Sequence, residues 1–126
     1  MTKEELQDRS LSFAVDVRQL TQAIRNRPGG RGPADQLLDC ATSVGANYRA
    51  ACRARSRTEF IAKLGIVVEE TDEAVYWLEF VTRSGLSSVA AATRPLDEAR
   101  QLRAIFAASY GTARSNYQSI KAKRQR

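Results

Sequence analysis

The residues of this chain best suited to binding chemistry are arginines at intervals of four, Arg49, Arg53 and Arg57, with Arg55 between them. They lie around the predicted start of the third helix, and guanidinium groups bind phosphate oxygens through charge-assisted hydrogen bonds. Arg57 also lies at a predicted helix start, where free backbone N–H groups and the positive helix end favour phosphate. These four arginines therefore form a candidate nucleic-acid-binding corner.

A second basic cluster lies at the C-terminus and consists of Lys121, Lys123, Arg124 and Arg126. From residue 99 onward the sequence has seven basic side chains and no acidic one, whereas residues 67–98 have seven acids and two arginines. The cluster is a second candidate nucleic-acid contact. Alternatively, the two oppositely charged segments pair within the protein or between subunits, or the cations complement a helix end and add solubility.

Catalysis is not expected from this sequence. It contains no histidine, the commonest general base and metal ligand. Four acids, Glu69, Glu70, Asp72 and Glu73, form a cluster, but only Glu69 and Glu73 are neighbours on a helix surface. A solvated or salt-bridged face is therefore favoured over a carboxylate metal site. We expect no enzyme activity and no cofactor.

Two further groups of residues favour structural roles. Aromatic and amide side chains at Asn47, Tyr48, Tyr76 and Trp77 suit either a ligand pocket or a core or subunit interface, and the second is the commoner use. The two cysteines, Cys40 and Cys52, are twelve residues apart on one predicted helix. That spacing is about 18 Å, too far for a disulfide, so both are expected to be small buried residues.

Composition limits the class of protein. The chain has 126 residues, 43% of them hydrophobic, and a formal net charge of +6. This length suits one domain over residues 1–126, since two smaller domains would each be marginal. An excess of positive charge makes an acidic partner plausible. The sequence has no apolar run long enough to span a bilayer, and its N-terminus lacks a signal-peptide core, which predicts a cytoplasmic protein.

Apolar residues recur with the period of a helix in four segments. The third segment has the clearest stripe, from Phe60 to Val81. The stripes predict an all-α, antiparallel up-down-up-down four-helix bundle, and they contain these residues: Phe13, Val17, Leu20 and Ile24; Leu37, Ala41, Val44, Tyr48 and Ala51; Phe60, Leu64, Val67, Thr71, Ala74, Leu78 and Val81; Ala99, Leu102, Ile105, Phe106, Ala113 and Ile120.

The ends of the helices are predicted from capping residues. Thr2 with Glu5, and Ser56 with Glu59, have the spacing of capping boxes. Residues 26–33 are rich in glycine and proline and predict a flexible loop, and Gly85 is placed to end the third helix. Pro95 predicts the first turn of the fourth helix. The segment 86–93 fits either a loop or an earlier turn of that helix joined through Pro95.

Two glycines fall inside predicted helices, Gly45 in the second and Gly65 in the third. Glycine costs a helix about 1 kcal/mol relative to alanine. Both positions lie beside the apolar stripe, where a missing side chain lets two helices approach closely. We therefore predict close helix contacts at both glycines.

The central half of the chain resembles a known family. Residues 36–48 (QLLDCATSVGANY), 59–64 (EFIAKL) and 69–73 (EETDE), followed by Tyr76, Trp77 and Leu78, match the pattern of a bacterial four-helix bundle family. Its founding members are encoded in intervening sequences of 23S rRNA genes. The match covers two complete helices, in order and at the family's spacing. Two features depart from the pattern: Arg49 stands where an acid or alanine is usual, and the first loop is unusually rich in glycine and proline.

The resemblance implies a bundle that assembles into a homopentamer. The family is also similar to the accessory protein of diversity-generating retroelements, a basic pentamer that binds reverse transcriptase and nucleic acid. We therefore expect an oligomeric, non-catalytic accessory module that binds the backbone of RNA or DNA. The alternative is a protein-binding or self-assembling scaffold with no nucleic-acid role.

Overall fold

The computed structural model of the chain describes residues 1–125. Over these residues the chain forms four α-helices: α1 (Lys3–Ile24), α2 (Arg31–Cys52), α3 (Arg57–Arg83) and α4 (Val89–Arg124). Each helix packs against its neighbours in the chain, and α4 also packs against α1, so the four axes form a square in cross-section. The predicted all-α, antiparallel up-down-up-down four-helix bundle is confirmed.

Most residues of the predicted apolar stripes form the core, with Phe60 and Ile105 partly buried at its edge. Ala113 and Ile120, the last two residues of the fourth stripe, lie outside it. The ring of Tyr48 in α2 lies 5.1 Å from the ring of Phe106 in α4, centroid to centroid, so side chains meet across the diagonal of the bundle. At the α1–α4 boundary, the Arg9 guanidinium donates hydrogen bonds to both carboxylate oxygens of Glu98, at 2.6 and 2.8 Å. The largest side chains that are almost completely buried include Phe13, Phe106, Leu37, Leu64, Leu78 and Leu102.

The first predicted capping box is complete and the second is half formed. The Thr2 hydroxyl accepts the backbone N–H of Glu5, and the Glu5 carboxylate accepts the backbone N–H of Thr2. At the start of α3, Ser56 Oγ accepts the backbone N–H of Glu59 at 3.0 Å. The Glu59 carboxylate accepts from the backbone N–H of Arg55 instead of Ser56. Both helices nevertheless begin where the sequence predicts.

The predicted first loop is shorter than expected, because α2 begins at Arg31. Gly32 and Pro33 are therefore helical rather than part of the loop. Proline is tolerated in the first turn of a helix because the backbone N–H it lacks would have no partner there. The end of α3 does follow the prediction, since Gly85 has a positive φ of 79° just beyond it.

The predicted start of α4 at Pro95 is wrong. The helix begins at Val89, and the Ser88 hydroxyl caps it by accepting the backbone N–H of Ala91. Pro95 lies inside the helix and is buried. Burial of its ring against the bundle compensates for the backbone hydrogen bond that proline cannot donate. Of the two structures predicted for residues 86–93, the earlier helical turn joined through Pro95 is the one that forms, from residue 89 onward.

Both predicted glycine contacts are present. A Cβ atom at Gly45 would lie 3.4 Å from the Cβ of Ser10, so α2 approaches α1 closely there. A Cβ atom at Gly65 would lie 3.3 Å from the ring of Tyr110 in α4. The first glycine tightens the body of the bundle, and the second makes room for an aromatic ring.

The second half of α4 extends beyond the core. α4 has 36 residues and a length of about 54 Å, against about 33 Å for the 22 residues of α1. Arg9 contacts Glu98 and the two helices are antiparallel, so the start of α1 at Lys3 lies beside about residue 104 of α4. Beyond that point α4 packs against α3 but no longer against α1. Phe106 is the last buried residue of α4. Residues 107–124 are called the α4 extension below.

Candidate nucleic-acid interface

Two tyrosines hold the α4 extension against the start of α3. The Tyr110 ring lies on Gly65, and the Thr58 hydroxyl donates a hydrogen bond to the Tyr117 hydroxyl at 3.4 Å. Each tyrosine also has a cation four residues later over its ring. Arg114 lies 5.5 Å from the Tyr110 centroid, and Lys121 lies 5.8 Å from the Tyr117 centroid. This repeated pair, seven residues apart, orients the basic side chains of the extension.

These contacts bring part of the first predicted basic cluster, Arg55 and Arg57, to the same end of the bundle as the second cluster. The Thr58–Tyr117 contact places the start of α3 beside the end of α4, so Arg57, next to Thr58, and Lys121, over the Tyr117 ring, contribute to a basic surface at the same end of the bundle. We call this surface the basic end. Its side chains are exposed and, among residues 1–125, form no salt bridge: Arg55, Arg57, Lys121, Lys123 and Arg124. The remaining predicted residue of this cluster, Arg126, lies outside the described residues.

The other two predicted arginines lie on a different side of the bundle. Arg49 on α2 and Arg53, directly after the end of α2, are exposed and line a groove of about 440 Å³ between α1 and α2. Gln7 and Leu11 form part of the opposite wall. The interval of four residues continues to Arg57 in the sequence, but the turn after Cys52 directs α3 toward α4. The predicted corner is therefore divided between two faces.

The face that carries Arg57 contains the larger groove, with a volume of about 760 Å³, between α3 and the α4 extension. Several of its polar side chains belong to types that contact phosphate and sugar oxygens in nucleic-acid complexes. The groove is lined by Arg57, Phe60, Ala108, Ser109, Thr112, Ala113 and Asn116. It provides cationic, hydroxyl and amide donors beside the basic end.

Acidic residues of α3 form ion pairs with arginines in the middle of α4 but not with the cations of the basic end. Arg100 pairs with Glu79 at 3.4 Å, and Arg103 pairs with Asp72 at 2.9 Å. The predicted pairing of oppositely charged segments thus occurs within the bundle, between α3 and the body of α4. At the start of α3, the one nearby acid, Glu59, accepts from the Arg55 backbone rather than from a guanidinium group.

Sequence reasoning missed Arg114 as a site residue, although it lies on the α4 extension between the two clusters. The spacing that could have identified it is the repeat of tyrosine followed four residues later by a cation, at residues 110–114 and 117–121. The period of the apolar residues does not distinguish these tyrosines from other residues of the helix. Their contacts with Gly65 and Thr58 are visible only once α3 and α4 are placed side by side.

Some of the aromatic residues and cysteines predicted to have structural roles are buried in the core, and others are exposed or half-buried. Tyr48 is buried in the core as predicted, and burial, followed by contact with Cys52, raises the pKa of its phenol to about 12. Tyr76, by contrast, is exposed. Cys40 is buried, and this burial raises the pKa of its thiol to about 12, whereas Cys52 is half-buried. Both thiols are free.

The acidic cluster on α3 is spread around the helix. Asp72 faces α4, where Arg103 binds it, while burial and then repulsion from Glu73, Glu69 and Asp39 raise the pKa of Glu70. Within residues 1–125, no group of three or more metal-ligating side chains is placed to hold a metal ion. Within the same residues, no helix combines the length and apolar character needed to cross a membrane.

Comparison with known proteins identifies the family. The model of the 23S rRNA-intervening sequence protein family matches residues 2–108, and the chain belongs to this family. A solved structure from Bacteroides thetaiotaomicron VPI-5482, described as a protein of unknown function from the S23 ribosomal protein family, is similar. It shares 30% identity with a TM-score of 0.81, over 88% of this chain and 99% of that one. No curated protein matches the chain.

The family match ends at Ala108, shortly after the last buried residue of α4. The body of the bundle is therefore the part that is shared with the family model. Most of the α4 extension, including Tyr110, Tyr117 and Lys121, lies beyond the match. The part of the basic end that α4 contributes is therefore outside the region shared with the family model.

Proposed function

We propose that the protein is a non-catalytic accessory module that binds the phosphate backbone of nucleic acid through its basic end. The observation that carries the proposal is that exposed cations of the start of α3 and of the end of α4 lie at one end of the bundle, beside a donor-lined groove. Exposed cations without acidic partners bind phosphate by releasing its counterions. The name of the family refers to an insertion in 23S rRNA, which favours RNA as the first target to test.

The basic end is suited to positioning rather than to base reading. Arginine and lysine contacts to phosphate fix the register of a protein on nucleic acid and carry no sequence information. The tyrosines of the extension already pack against Gly65 and Thr58 and under their own cations, which leaves them poorly placed to stack on bases. Binding should therefore depend on backbone geometry and salt more than on sequence.

The proposal includes assembly into a homo-oligomer, with five subunits as the state that the family resemblance implies. A ring would present several basic ends to one strand, which raises the avidity without a new contact in each subunit. A similarity to the accessory protein of diversity-generating retroelements, with a nucleic-acid enzyme such as a reverse transcriptase as its partner, stays a prediction. Native mass spectrometry of the 14.0 kDa chain measures the number of subunits.

The experiment that tests the function is a binding titration of the whole chain by fluorescence anisotropy. Labelled single-stranded RNA, single-stranded DNA and duplex DNA of unrelated sequences are titrated over a series of salt concentrations. The logarithm of the affinity should fall linearly with the logarithm of salt concentration, by about 0.9 per duplex phosphate contacted and about 0.7 per single-strand phosphate. Affinities should be similar across sequences of one type. A chain that binds no nucleic acid even at low salt supports the scaffold alternative.

A further inference from the structure

The outer face of α3 carries a stripe of exposed residues with the spacing of a helix-pairing seam. Ile66, Glu69, Glu73, Tyr76 and Phe80 follow one another at intervals of three, four, three and four. Such alternation keeps side chains in line along one face of a helix, as in a coiled coil. The stripe lies opposite the buried face of α3 and has no neighbouring helix in the bundle. We call it the α3 stripe.

The apolar members of the α3 stripe are large, and the packing of the bundle leaves much of their surface exposed to solvent. Tyr76 is 58% exposed, Phe80 is 38% exposed and Ile66 is 36% exposed. Trp77 stands between the two aromatics, with ring centroids 5.0 Å from Tyr76 and 5.6 Å from Phe80 in edge-on geometry. Clustered exposed aromatics of this kind mark protein-binding surfaces, where tyrosine and tryptophan supply much of the binding energy.

The centre of the α3 stripe is acidic and unneutralised. Glu69 and Glu73 are four residues apart on the stripe, and neither forms an ion pair within residues 1–125. The acids on the α4 side of the helix behave differently, since Asp72 and Glu79 each bind an arginine. Like charges at this spacing repel each other. A cation from outside the bundle would remove that repulsion.

We propose that the α3 stripe binds a basic amphipathic helix of a partner protein. Apolar side chains of that helix pack on Ile66, Tyr76 and Phe80, and a lysine or arginine lies between them, opposite Glu69 and Glu73. The mode is the pairing of one amphipathic helix with another through residues at heptad intervals. Negative charge at the centre of the stripe selects a basic partner and rejects an acidic one.

The chain's own basic extension does not reach this surface. Tyr117 lies beside Thr58, and α4 runs antiparallel to α3, so the extension leads away from the stripe. Glu69 is eleven residues, or about 16 Å, from Thr58 in the opposite direction along α3. Nucleic acid on the basic end and a protein on the α3 stripe would therefore be held at the same time. This goes beyond the proposed function and makes the protein an adaptor between the two.

The test uses two synthetic helical peptides and the whole chain. One peptide has leucines at the outer seam positions and arginines at the two central ones, and the matched peptide has glutamates in place of the arginines. Trp77 is the only tryptophan of the chain and lies in the aromatic cluster, so its fluorescence reports binding at the stripe. The arginine peptide should bind about tenfold more tightly than the glutamate peptide, as expected for two exposed charge pairs.

Two variants separate the parts of the stripe. Glu69→Lys/Glu73→Lys should reverse the preference between the peptides, a result that general damage to the bundle would not produce. Tyr76→Ala/Phe80→Ala should lower the affinity for the arginine peptide at least tenfold and leave the affinity for nucleic acid unchanged. The matched control is Leu11→Ala/Val15→Ala, which removes two exposed apolar side chains from α1 and should bind the peptide as the parent does.

Three results each overturn the proposal. The first is equal binding of both peptides by the parent, and the second is a charge-reversed variant that keeps the parent's preference. The third is a parent that binds neither peptide while Tyr76→Ala/Phe80→Ala lowers its oligomeric mass, because the stripe is then covered by a second copy of the chain. Circular dichroism of every variant establishes that the helices are retained.

Discussion

Removing residues 118–126 should abolish much of the nucleic-acid binding and leave the fold intact. Tyr117, at the new end, makes the last described contact of α4 with α3, through Thr58. Among residues 118–125, only Ile120 is even partly buried. The free energy of unfolding should therefore change by no more than about 0.5 kcal/mol, as for other exposed changes. Loss of the four cations Lys121, Lys123, Arg124 and Arg126 should lower the slope of log affinity against log salt by up to about 3.6 on duplex DNA, at about 0.9 for each contact.

The assay compares the parent and the truncated chain by urea unfolding and by the anisotropy titration. A longer truncation after Phe106 is the informative control, since it also removes Tyr110 from Gly65 and uncovers the start of α3. That chain should lose stability as well as binding. An unchanged salt slope in the shorter truncation would refute the role given to the end of α4. A large loss of stability there would show that the extension is part of the fold.

Two further predictions concern the core and the acidic cluster. Phe106→Ala should lower the free energy of unfolding by about 3–5 kcal/mol in a urea titration, because Phe106 is fully buried against Tyr48. A loss of less than about 1 kcal/mol would contradict this and show that neighbouring side chains fill the cavity. Glu70→Gln should raise the melting temperature at neutral pH but not at a pH below both the folded and the unfolded pKa of Glu70. The reason is that a carboxyl whose pKa is raised by folding destabilises the fold only when ionised; an equal gain at both pH values would contradict this.

Most of the fold follows from local sequence features. Apolar residues at helical intervals placed the stripes correctly as far as Phe106, and the capping residues Thr2 and Ser56 placed the starts of α1 and α3. The errors concern proline. Local geometry predicts a helix boundary at Pro33 and at Pro95. Whether a helix tolerates a proline, however, depends on the position of the proline in the helix and on the residues that pack against its ring. Pro33 falls in a first turn, and the ring of Pro95 is buried by the bundle, which the sequence alone does not reveal.

The candidate site was predictable in its residue types but not in its arrangement. The cations could be counted from the sequence, and the opposite charges of two segments made their pairing, within the protein or between subunits, one of the alternatives. That Arg100 and Arg103 pair with acids of α3 is seen only in the structure. The separation of Arg53 from Arg57 depends on the direction of one turn. The placement of the start of α3 beside the end of α4 depends on the contact between Thr58 and Tyr117, fifty-nine positions apart, which periodicity does not encode.

The most direct test of the central claim is to compare two variants with equal charge loss at opposite ends of the bundle. Arg55→Gln/Arg57→Gln/Lys121→Gln removes three cations from the basic end, and Arg18→Gln/Arg31→Gln/Arg83→Gln removes three exposed arginines from the other half of the molecule. The first should lower the duplex salt slope by about 2.7, and the second should keep the parent's slope. Equal losses in both variants, at retained helicity and oligomeric mass, would show that net charge rather than the basic end binds nucleic acid.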